Sequence, residues 1–118
     1  MKSFLAVFTG TPEAMAQSDW GKLSEADQQA RTQAGIQAWH AWMDANQARI
    51  EVPGCPIGKT LRVSPGGTQA SRNNICGYVV VAAESHEAAA AMFRNHPHFA
   101  IFPGDAVEVM ECLPVPGM

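Results

Sequence analysis

Hydrophobic positions along this chain follow two periods, and the switches between them mark the elements. Residues 3–9 place Phe4, Leu5, Val7 and Phe8 in a short run that reads as a strand. Thr11-Pro12-Glu13 is a helix start, with Thr as N-cap, Pro at the first helical position and Glu at the positive end of the dipole. That helix is expected to end near residues 18–21. Ser24-Glu25-Ala26-Asp27 opens a second, near a capping box, and only Gly35 interrupts helical composition from there to about Arg49. Ile36, Trp39, Met43 and Ile50 recur at helical spacing on one face of it.

Pro53-Gly54-Cys55-Pro56 ends that pattern, and residues 57–63 read as the second strand. Residues 64–74 carry Pro65-Gly66-Gly67 and Asn73-Asn74 and are expected to form a polar hairpin connection. The third strand spans 75–83. Ser85 caps an Ala-rich helix running to about Asn95, and Pro97 is expected to close it. Pro103-Gly104-Asp105 turns the chain into a last strand over 106–113.

Helices between strands one and two, and between three and four, predict an α+β fold. The layout is a ferredoxin-like split βαβ sandwich: a four-stranded antiparallel sheet with its helices on one face. A sheet with one wet face alternates apolar and polar residues, yet Tyr78-Val79-Val80-Val81-Ala82-Ala83 is apolar on both sides. The second face is therefore expected to be buried by a partner, most simply a second copy in a homodimer.

The chain's 118 residues suffice for one domain, 1–118, and an apolar fraction of 47% with modest charge excludes a disordered or acidic-tail protein. A net charge of −3 with scattered basic residues predicts no nucleic-acid partner. No apolar run approaches the roughly 20 residues of a membrane span, and no signal peptide is visible. Cys55, Cys76 and Cys112, odd in number and far apart, suit buried thiols in a reducing cytoplasm.

Phe4-Leu5-Ala6-Val7-Phe8, Gly77-Tyr78, Ala83-Glu84-Ser85 before an Ala-rich helix, His96-Pro97, and Gly104 with Val107-Glu108-Val109 occur here in order. In that combination the chain resembles the YCII-related family of dimeric α+β barrel proteins. The resemblance implies a sheet that pairs with its twin's and leaves a cleft for a small ligand. Some members carry a histidine early in the long helix paired with an aspartate. Gln37 stands near that position here, with His40 the nearest histidine, and Ser64-Pro65-Gly66-Gly67 replaces the Asp-Gly-Pro-Phe motif of another branch.

Candidate chemistry rests on histidine and tryptophan. His40 lies about 40° from Ile36 on a helical wheel, and Asp44 follows four residues on, within reach on the same face. The pair reads either as an oriented general base or as an ordinary helix pair. His96 is a further candidate base, or bonds carbonyls at a helix end. His98 beside it is a candidate ligand contact, and two histidines are too few for a metal site. Trp39 is expected in the core. Trp42, off the apolar stripe, and Trp20, at a helix boundary, are candidate pocket walls.

No motif for an organic cofactor or a phosphate cradle is present: Gly66-Gly67 lacks the following Lys and helix. The expected function is small-molecule binding in a cleft, with His-assisted proton transfer of isomerase or lyase type. The alternatives are a non-catalytic ligand-binding or regulatory module, and a subunit whose open sheet face docks a different protein.

Overall fold

The computed structural model describes residues 1–117. In chain order the elements are β1 (Lys2–Thr9), α1 (Pro12–Gln17), α2 (Glu25–Ala45), β2 (Ile50–Val52), β3 (Thr60–Ser64), β4 (Gly67–Ser71), β5 (Ile75–Ala83), α3 (His86–Ala91), α4 (Pro97–Ala100) and β6 (Ala106–Glu111). Three helix starts follow their capping chemistry. Thr11 Oγ1 accepts from the Ala14 amide at 3.0 Å, Ser24 Oγ from Asp27 at 3.1 Å and Ser85 Oγ from Ala88 at 3.0 Å.

The main sheet runs β2-β5-β1-β6, with every neighbouring pair antiparallel. This is the split βαβ order expected from the element sequence, with β2 and β6 at the edges. Side-chain alternation divides β1 between two faces. Phe4, Ala6 and Phe8 join Val79, Val81 and Ala83 of β5 under the helices, where Ala89 and Phe93 complete the buried core. Leu5 and Val7 join Tyr78, Val80 and Ala82 on the other face, with Met110 of β6 opposite Leu5. Val7 is buried within the single chain, whereas Leu5, Tyr78, Val80 and Ala82 are half-buried and Met110 is exposed, so much of that face is left to a partner or to water.

The second strand is not where the pattern put it. Ile50–Val52 supplies the sheet's edge strand, pairing with β5 through Ile50–Val81 and Val52–Val80. Residues 57–63 supply no strand of the main sheet: Pro56 forms a single bridge to Gly77 and the Ile57 amide donates to the Cys76 carbonyl at 3.0 Å, and the chain then leaves it. Their latter part, β3, pairs with β4 in a separate two-stranded ribbon. Three residues stopped by Pro53 are too short to show a period of two, which is why Ile50 counted toward the helical stripe. The helix itself ends at Ala45, where the Asn46 side chain donates back to the Trp42 carbonyl at 2.8 Å.

The ribbon stands away from the body. Leu61 and Val63 on its apolar face are 69% and 76% exposed. The radius of gyration is 16.3 Å, against about 13.5 Å for a compact chain of this length.

Two further expectations give way. The Ala-rich helix ends at Ala91, and Asn95 turns left-handed at φ 56°. Pro97 then opens α4 at its first position instead of closing α3. All three cysteines are exposed and free, not buried. Among the described residues no helix is long and apolar enough to cross a membrane.

Candidate functional site: an aromatic groove under the long helix

Gly35 sets how the long helix lies. It is the one buried residue of α2, and a Cβ there would overlap the Phe102 ring. Helix propensity favours Ala over Gly by about 1 kcal/mol, so the glycine is kept for the close approach of Phe102. Beyond Gly35, successive turns of α2 present Ile36, Trp39, Trp42 and Met43 toward the sheet.

Between these side chains and the end of the sheet opens a groove of about 460 Å³. Phe8 and Val79 form its floor and Phe102 one end. The Pro53–Pro56 loop with Cys76, Gly77 and Tyr78 forms the far wall. The volume lies inside the roughly 300–1,000 Å³ usual for ligand sites. No Asp, Glu, Lys or Arg lines it, among the described residues.

Two histidines reach it, in different ways. His40 is exposed on the rim, and no hydrogen bond joins it to Asp44, which is exposed and does not line the groove. His98 is 8% exposed and lies in the wall. Its Nε2 sits 2.7 Å from the Thr9 carbonyl, an acceptor that also takes the Asp105 amide at 2.9 Å. A carbonyl can only accept, so Nε2 carries a proton, and in the neutral ring Nδ1 keeps its lone pair. Among the described residues Nδ1 has no partner and is not sealed from solvent. The groove is the cavity that His98 lines. In its neutral form this imidazole has one fixed tautomer and one free acceptor.

His96 stands behind this wall, not in it. It is fully buried and absent from the groove lining. Its Nδ1 accepts the His98 amide at 3.0 Å, capping α4 at its N-terminus, where the sequence suggested a bond to carbonyls at the preceding helix end. The proton therefore lies on Nε2, which is buried without a hydrogen-bond partner.

Aromatic rings enclose it. Trp39 stands perpendicular at 4.5 Å between centroids, Trp42 at 4.8 Å, Phe8 at 5.0 Å and Phe93 at 5.9 Å. Ring faces are weak acceptors for an N–H, and the box suits a neutral imidazole. Burial pushes His96 down from 6.5 to about 4, with repulsion from the neighbouring His98 adding to it.

Trp42 belongs to both settings. It lines the groove, packs on the core, and donates its indole N–H to the Met92 carbonyl at 2.8 Å. It was set off the stripe because the wheel was centred on Ile36, which is itself half exposed. Trp20 does not line the groove but packs on Phe102 at 6.1 Å, one layer out. His86 bonds the Val109 carbonyl at 2.7 Å, away from the groove. Phe102, Tyr78 and the Thr9 carbonyl were missed. A phenylalanine beside Pro103-Gly104 was the only local signal for the first, and the bond from His98 to Thr9 spans 89 residues.

No protein-family model and no curated protein matches the chain. Among solved structures it is similar to 5-chloro-2-hydroxyhydroquinone dehydrochlorinase (TftG) from Burkholderia phenoliruptrix AC1100, in complex with 2,5-dihydroxybenzoquinone. The two are 18% identical, the match covers 91% of this chain and 89% of that one, and the TM-score is 0.53. The likeness is one of fold, an α+β chain with helices packed on a four-stranded antiparallel sheet.

Proposed function

We propose that the chain is a YCII-like protein that binds a small planar molecule in this groove and uses the His98 imidazole to move a proton on it. The observation that carries the reading is the fixed tautomer of His98. Thr9 holds the Nε2 proton, and Nδ1 is left as a base beside an apolar cavity. The bound quinone of the similar structure supports a flat ring as the type of ligand. His40, read from the sequence as a general base paired with Asp44, is instead given the part of exchanging protons with solvent at the rim, while Asp44 does not line the groove.

One observation favours the alternative, a binder without turnover. The group orienting His98 is a carbonyl, not a carboxylate, so it stabilises an imidazolium less than an acid–base pair would. Exposed free thiols support a reducing, cytoplasmic setting.

The three tryptophans supply the test of the groove. On titration with 2-naphthol, the indole N–H resonances of Trp39 and Trp42 are expected to shift in ¹H–¹⁵N spectra while that of Trp20 stays in place. Movement of Trp20 alone would sink the reading.

The apolar second face of the sheet and the projecting ribbon support pairing with a second copy. Sedimentation at micromolar concentration is expected to give twice the chain mass. A monomer there removes this part of the proposal.

A further inference from the structure

The groove's lining has a consequence for the charge of what it takes. Apart from His40 in the water at its rim, the residues that line it carry as side-chain heteroatoms one imidazole, one phenol, two thiols, the Met43 thioether and an indole N–H, since the Trp42 indole N–H is spent on the Met92 carbonyl. None of these is a fixed charge. An ion moved from water into such a site loses its hydration and meets no counter-charge. The imidazole is committed in one direction, because its proton faces Thr9 and its lone pair faces away from it.

We infer that the groove admits its ligand uncharged, as a planar ring bearing a hydrogen-bond donor that bonds His98 Nδ1, and rejects the conjugate anion of the same ligand. The ring lies among Trp39, Trp42 and Phe8, where flat aromatic faces reward a flat partner. Its hydroxyl or N–H meets the one acceptor held at fixed orientation. An ionised hydroxyl has no proton to give and presents a lone pair to a lone pair. Selection is therefore by protonation state as well as by shape. The inference rests on the groove being the ligand site and adds which form of the ligand enters it.

Calorimetric titration of the full chain with three probes tests it. At neutral pH 2-naphthol is expected to bind at least about tenfold more tightly than 2-naphthoate, which has the same rings and a fixed negative charge. For 4-nitrophenol, which ionises near neutrality, affinity is expected to fall about tenfold for each pH step above its own ionisation. That of 2-naphthol stays level over the same interval. His98→Phe is expected to weaken 2-naphthol by about three- to tenfold, the worth of one hydrogen bond.

The pH series uses the unaltered protein, so it stands even if the variant folds poorly. Equal or tighter binding of 2-naphthoate, or a nitrophenol affinity that ignores ionisation, overturns the inference. If those results come with shifts at Trp39 and Trp42, the groove remains a ligand site and only the charge selection is lost. If no probe binds or moves either indole, the groove reading falls as well.

Discussion

Acidifying the protein from neutral pH to about pH 4 is expected to cost it up to roughly 3 kcal/mol of folding free energy through His96 alone. In the unfolded chain this imidazole takes up its proton near 6.5, whereas in the folded chain burial among four rings delays protonation to about 4. Between those values the unfolded state binds the extra proton. Stability therefore rises with pH across the interval, is complete above 6.5, and is lost as pH falls toward 4. The gap between the two, at about 1.4 kcal/mol per pH step, sets the upper bound.

Protonation also puts a charge into a box whose N–H already lacks a partner. Urea unfolding of the unaltered chain and of His96→Phe across this interval checks the claim. The difference between their slopes is expected to approach one proton, and parallel slopes would refute it.

Gly104→Ala is expected to destabilise the chain by roughly 2–3 kcal/mol and to release His98 from Thr9. A Cβ at residue 104 would overlap both the His98 carbonyl oxygen and the Nε2 edge of its ring. The same glycine donates its amide to that carbonyl at 3.0 Å, so backbone as well as side chain is pressed. Backbone cannot yield as a surface side chain does. Gly21→Ala is the control, since a Cβ there meets nothing within 4 Å. Thermal unfolding should separate the two variants by about 10 °C or more, and the His98 ring resonances should change only in the first. A Gly104→Ala protein as stable as Gly21→Ala would show that α4 and the following turn relax at little cost.

What the sequence disclosed about the fold was local. Thr11, Ser24 and Ser85 announced their helices because a cap acts on amides two or three residues away. The twofold apolar character of residues 78–83 disclosed a central strand with no polar face. The edge strand 50–52 was hidden, because its pairing with Val80 and Val81 is decided by a partner some thirty residues on and not by its own pattern.

The site was legible only as a set of residue types. That His96 and His98 differ, one sealed in a ring box and the other open to the groove, depends on Trp39, Trp42, Phe8 and the Thr9 carbonyl arriving from two other elements, the long helix and the first strand. Spacing could not separate two imidazoles that flank one proline.

The β3–β4 ribbon divides the molecule energetically. Its strands pair with each other and with no strand of the main sheet, and its apolar side chains bury little against the body of a single copy. Two-stranded ribbons of this size are marginal in water. In an isolated chain the ribbon can open while the sheet and the groove stay closed, as a separate cooperative unit of low local stability. Amide exchange would then be fast from Thr60 to Ser71 and slow at Phe4, Ala6, Val79 and Val81. Any surface that covers Leu61 and Val63 would register first as protection of those ribbon amides, before any change reached the core.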